Sequence, residues 1–125
     1  MTLKVSSAVS VLEDMRDMDT LRIYDGEEPE SADDPATGKV LCEIVGCQIK
    51  MSPTARAWVG VHSPWVGIVK AEGIATYFRF ASSGDDSQHV QGSVLVFGES
   101  WKNAHLAPGD EVRINNFGVK SLGFA

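Results

Sequence analysis

The chain has 125 residues, 43% of them hydrophobic and 22% charged, with 17 acidic against 11 basic side chains and a formal net charge of −6. A chain of this length forms one core and buries about two thirds of its unfolded surface. No apolar run approaches the ~20 residues of a membrane helix, and no basic stripe suits a phosphate backbone, so a soluble protein with no membrane and no direct nucleic-acid partner is expected.

The first 18 residues, MTLKVSSAVSVLEDMRDM, hold one Lys, and their apolar part is broken by Ser and by Glu13 and Asp14, unlike a signal peptide. Val5, Ala8, Val9, Leu12 and Met15 fall on one helical stripe, and Ser10 to Glu13 fits a capping box. The spacing predicts a short N-terminal helix in an arm over residues 1–18, followed by a single β-domain over residues 19–125. Its apolar face has two possible seats, the chain's own β-domain or a groove of a neighbour.

Strand signals follow. Leu21 to Tyr24 alternates and stops at Asp25-Gly26, and Lys39 to Val45 stops at Gly46. Between them Asp25, Glu27, Glu28, Glu30, Asp33 and Asp34 crowd six carboxylates into ten residues, and without them the rest of the chain is electrically balanced. Pro29 and Pro35 and the wrong ligand spacing argue against a calcium loop, so a solvent-facing connector is expected. Cys42 and Cys47, in what reads as one extended segment, would stand ~16 Å apart, too far for a disulfide. Two free thiols suit a reducing cytoplasm.

Further strands are predicted at Trp65 to Lys70, Ile74 to Ala81, His89 to Phe97, Glu111 to Asn115 and Gly118 to Phe124, separated by Gly-, Asn- and Asp-rich turns. Within Thr76 to Ala81 the period of two sends Phe78 and Phe80 to the core, and Tyr77 and Arg79 to the other face. Gly92 suggests a bulge or a close backbone contact. Together these elements predict an all-β fold, a β-sandwich or jelly-roll-like domain with a short N-terminal helix.

No spacing of chemistry-bearing residues forms a catalytic or ligand signature. His62, His89 and His105 are widely separated, and neither Cys has a zinc-chelating spacing. Val61-His-Ser-Pro64 lacks the glycines of a nucleophile elbow, so His62 reads as a loop residue. The Gly-rich nucleotide loops are missing. The expectation is therefore no enzyme, with no catalytic residue, cofactor or metal. Trp58, Trp65 and Trp101 are candidates for a core, for a protein interface or for stacking on a sugar ring.

The order of LRIYDG, the acidic Pro- and Ala-containing run, TGKVLCEI, GIATYFRFAS, HVQGSV and HLAPGDEVRINNF resembles a family of small virion proteins of tailed bacteriophages. In that family a segment I-R-I-Y-x-G-x-x-P-x-x-A-D-x-A-x-T-G-x-L-L precedes strands of the pattern G-x-A-T-x-F-R-F and I-Q-G-x-V, and a closing L-x-x-G-x-x-V-x-I hairpin. The likeness covers roughly residues 20–124 and departs from the pattern at Ser93 to Trp101 and in the acidity of the loop. It implies a structural part of a virion assembled in the bacterial cytoplasm. The expected role is a capsid decoration or cement protein that binds the major capsid protein or other virion proteins, as a homo-oligomer, dimer or trimer. Val5, Val9, Leu12, Trp58, Trp65 and Trp101 are the candidate contact residues. The alternatives are a tail or baseplate component, a carbohydrate- or receptor-binding module using the tryptophans, and a small enzyme whose site only folding assembles.

Overall fold

The computed structural model describes residues 4–5, 16–52, 57–62, 64–82, 89–115 and 117–119. Twelve strands occur among them: β1 (Lys4–Val5), β2 (Thr20–Tyr24), β3 (Val40–Ile44), β4 (Gln48–Ser52), β5 (Ala57–Val61), β6 (Trp65–Ile68), β7 (Gly73–Ile74), β8 (Tyr77–Ala81), β9 (His89–Ser93), β10 (His105–Leu106), β11 (Glu111–Ile114) and β12 (Gly118–Val119). They form a five-stranded sheet in the order β1-β9-β8-β2-β3, a three-stranded sheet β12-β5-β4, and the two-stranded ladders β11-β6 and β10-β7. The fold is all-β.

The alternation expected for β8 holds, and its neighbours share it. Leu21 and Ile23 of β2 stand opposite Phe80 and Phe78 of β8, and Val90 of β9 stands opposite Phe80. All five are fully buried, in one cluster with Trp58, Trp65, Val112 and Ile114 from the smaller sheets. The ring of Trp65 stacks on Phe80 at 5.7 Å and meets Phe117 at 5.2 Å. Aromatic side chains bury large areas and pack in offset or tilted pairs, so this cluster is the main anchor of the core.

Four expectations are corrected. Lys4 and Val5 are not helical: they pair with Gln91 and Val90 and add a strand to the edge of β9, whose backbone groups would otherwise lack partners. Arg16 and Asp17 form a turn and Met18 enters the core, while residues 6–15 of the predicted helix, Val9 and Leu12 among them, lie outside the described residues. The strand expected over His89 to Phe97 stops at Ser93, whose hydroxyl accepts a hydrogen bond from Leu95 N at 3.2 Å and starts a 3-10 turn over Val94–Phe97. A Ser side chain offers the backbone this local alternative to a ladder bond.

Gly92 carries no bulge and sits in regular register opposite Phe78. The irregularity falls instead where Ile23 and Tyr24 of β2 face Cys42 and Val40, leaving Leu41 extra and fully buried. The segment from Cys42 to Cys47 is not extended either, because the chain turns at Gly46, where φ is +74°, and begins β4. Both thiols are free and buried. The strand predicted over Gly118 to Phe124 is present as β12, and residues 120–125 lie outside the described residues. Among the described residues no helix is long and apolar enough to cross a membrane.

Replacing Trp65 by Ala is expected to cost about 3–5 kcal/mol of folding stability, whereas Val66→Ala, on the exposed side of the same strand, stays within about 0.5 kcal/mol. Urea unfolding of both variants measures the difference.

Candidate functional site

The outer face of the five-stranded sheet is polar in the middle. Alternation places Arg22 and Tyr24 of β2 and Tyr77, Arg79 and Ala81 of β8 on this side, with His89 and Gln91 of β9. Register sets Arg22 directly opposite Arg79, a like-charge cross-strand pair that costs energy unless it is compensated. Glu43 of β3 accepts from Arg22 Nε at 2.6 Å, and this contact holds its carboxyl below the usual range. Arg79 donates through Nε to Gln91 Oε1 at 2.9 Å and through Nη2 to the carbonyl of Asp34 at 2.6 Å.

That last bond belongs to a larger arrangement. The acidic loop, residues 25–38, lies across this face and is pinned through its carbonyls. Gln91 Nε2 donates to Pro29 O at 2.9 Å and to Glu28 Oε2 at 3.2 Å, and His89 Nε2 reaches the carbonyl of Ala32. Tyr77 Oη donates to Thr37 O at 2.7 Å and accepts from Thr37 N at 2.8 Å, while its ring stacks on Tyr24 at 4.8 Å. Pro29 and Ala32 are buried, but Glu27, Glu30, Asp33 and Asp34 are exposed. The loop is thus solvent-facing in its carboxylates and anchored in its backbone, which the bare connector expected from composition does not describe.

The two ends of the loop cross at a single point. A Cβ on Gly38 would fall 2.2 Å from the backbone N of Gly26, and Gly38 itself has φ +76°, so neither glycine tolerates a side chain. Asp25 closes the crossing by accepting from Lys39 N at 2.8 Å and pairing with Lys39 Nζ at 2.9 Å, and those bonds from Lys39 hold its carboxyl below the ordinary range. Thr76 Oγ1 donates to Tyr24 O at 3.1 Å and also reaches Gly26 O. The latch is thus made by Tyr24, Asp25, Gly26, Pro29, Ala32, Thr37, Gly38 and Lys39 of the loop and its ends, and by Thr76, Tyr77, Arg79, His89 and Gln91 of the sheet.

Under Pro35 and Ala36 the loop leaves a cleft of about 270 Å³, lined by Arg22, Tyr24, Arg79, Ala81 and His89. Among the described residues its lining offers hydrogen-bond donors and an aromatic wall, a set suited to holding acceptor groups. Of the other histidines, His62 is an exposed turn residue at φ +58°, and His105 pairs with Glu72 at 3.0 Å. Burial raises the Cys42 thiol and pushes Cys47 up to about 12, so both stay protonated at neutral pH. Among the described residues no three metal-ligating side chains cluster.

The contact candidates are dispersed. Val5 lies in β1, bonded to its own sheet. Trp58 and Trp65 are buried, with Trp65 Nε1 donating to Val61 O at 3.1 Å, and Trp101 is half-buried against Phe97 at 5.5 Å. The exposed large apolar side chains are Val45, Val66, Ile68, Ile74, Leu95 and Val96 instead. The sequence signal for the latch was the alternation in LRIY and YFRFA. What it could not supply was which residues stand opposite each other across strands more than fifty residues apart. No family model, no curated protein and no solved structure matches this chain.

Two outcomes test the latch. Tyr77→Phe is expected to speed amide exchange across residues 27–37 by about tenfold or more while the exchange of β8 changes little, since it removes both bonds to Thr37. For Asp25 the folded pKa is depressed, so its stabilising contribution is present above the unfolded value near 3.8 and is lost as pH falls below it. Asp25→Asn should therefore flatten the loss of stability between about pH 5 and 2, as read from urea midpoints at each pH.

Proposed function

We propose that this protein is a non-enzymatic structural component of a tailed-phage virion, a capsid decoration or cement protein that binds the particle surface. One observation carries the reading: several of the residues that make the chain resemble the virion family, Gly26, Pro29, Thr37, Gly38, Thr76, Arg79 and Gln91, help latch an acidic loop onto a β-sheet. The pattern thus serves presentation of a surface. The fold is read as two layers of a β-sandwich, the five-stranded sheet on one side and β4, β5 and β12 with β6 and β11 on the other, because one core draws from both.

The mechanism follows from the geometry of the loop. Its backbone is fixed, so Glu27, Glu30, Asp33 and Asp34 are displayed with little entropy left to lose on contact, and a fixed array of charges suits a basic patch on a neighbouring subunit. A capsid repeats such a patch many times, and linked weak contacts then give strong retention. The reading as a carbohydrate-binding module draws less support, since Trp58 and Trp65 are buried, which leaves only the half-buried Trp101 for it.

Quantitative mass spectrometry of purified particles tests this. Capsid decoration predicts copies in the hundreds per particle, with release rising steeply with salt because exposed charges are screened. A handful of copies, in multiples of three or six, would move the protein to the tail or baseplate; absence from particles would end the virion reading.

A further inference from the structure

Among the described residues the ladder of β6 and β11 ends in a backbone edge on the far side of β11. Among the described residues β6 is the strand bonded to β11, in the register Glu111–Ile68, Val112–Gly67, Arg113–Val66 and Ile114–Trp65. Val69 N donates to Asp110 O at 2.8 Å, and bonded and non-bonded pairs alternate along an antiparallel ladder. The backbone groups of Val112 and Ile114 therefore turn toward β6, and those of Glu111 and Arg113 turn toward the edge. The side chains of Glu111 and Arg113 are exposed on the outer face and pair with each other at 2.6 Å, beside the exposed Ile68 and Val66. Val112 and Ile114 are buried.

We propose that this edge pairs with the same edge of a second copy, antiparallel about a two-fold axis at Val112, to form a homodimer with a continuous β6–β11–β11–β6 sheet. The axis sets Glu111 opposite Arg113 of the second copy and Arg113 opposite its Glu111. Those are the residues whose backbone groups point outward, so both pairs are of the hydrogen-bonded kind. Opposite charges directly across a ladder stabilise it, and like charges oppose it. Moving the axis one residue either way sets Glu111 against Glu111 or Arg113 against Arg113, so the charges select this register.

Charged side chains on an edge strand ordinarily guard against pairing. Here their opposite signs, two residues apart, make the edge complementary to itself and repellent in the neighbouring registers. An edge of four residues buries less than a standard interface, so dimerisation in the micromolar range is expected. The dimer does not rest on the virion reading; only its use as a bivalent, tighter-holding unit on a particle does.

Sedimentation equilibrium of the full chain, over about two decades of concentration around 10 μM, tests the proposal. A monomer–dimer equilibrium is expected, weakened at least about tenfold by Arg113→Glu and returned to within about threefold of the original by the double exchange Glu111→Arg with Arg113→Glu, which restores both cross-pairs. Both positions are exposed, and thermal melting checks that the variants fold. A chain that stays monomeric, a dimer indifferent to Arg113→Glu, or a double exchange that does not recover would each overturn it. Loss of dimerisation with particle binding retained separates this failure from failure of the virion reading.

Discussion

In an antiparallel ladder a slip of one residue turns every side chain to the opposite face, and the register between β2 and β8 is the place where this protein can least tolerate it. Leu21 against Phe80 and Ile23 against Phe78 point inward, while Arg22 against Arg79 and Tyr24 against Tyr77 point outward. The first two pairs meet Trp65 and the smaller sheets and form the core. The second two form the floor on which the acidic loop lies. Core and latch are the two sides of one register.

That floor contains an opposition of charge that would be unfavourable alone. Arg22 is neutralised by Glu43, whereas Arg79 donates to neutral oxygens, the side chain of Gln91 and the carbonyl of Asp34. A guanidinium carries five donors in a fixed fork, so it can hold a loop carbonyl while also bonding a neighbour on the next strand. Gln91 is wholly buried and divides its own donors between Pro29 and Glu28. The sheet thus holds the loop through acceptors of the main chain, leaving four of its six carboxylates exposed to solvent. A loop of like charges repels itself and gains nothing from apolar burial, so without these anchors it would have no reason to keep one shape. The stacked tyrosines add a rigid wall beside the crossing of Gly26 and Gly38.

The exposed apolar positions tell a related story about surfaces. Trp58 and Trp65, prominent in the sequence as possible contact residues, are consumed by a core that needs large rings to fill a small domain. Val66 and Ile68, which alternation within a short strand leaves facing outward, are among those at the surface, beside the Glu111 and Arg113 pair. Residue type alone does not say which apolar side chains reach the surface. Position within the pleat does, since the period of two sets which side of the sheet each side chain takes.

Alternation in Leu21 to Tyr24 and in Tyr77 to Ala81 was enough to identify two central strands, their inward faces and an all-β class, because a period of two is a property of the local backbone. The turns at Asp25-Gly26 and Gly46 were legible for the same reason. The strand β1 at Lys4–Val5 was not, since two residues carry no period and their state is decided by pairing with Val90 and Gln91 of β9, far along the chain. Nor were β4 and β5 picked out, although Gln48 to Met51 alternates, with Ile49 and Met51 half-buried and Gln48 and Lys50 exposed, because so short a run is a weak period by itself. The acidic run read as solvent because its composition is that of solvent-exposed chain, yet Pro29 and Ala32 are buried by partners drawn from β8 and β9. The sequence by itself determined the local periods, the turns and the charge of the loop. The tertiary structure decided which faces meet, because register across distant strands is a pairwise fact that no single segment contains.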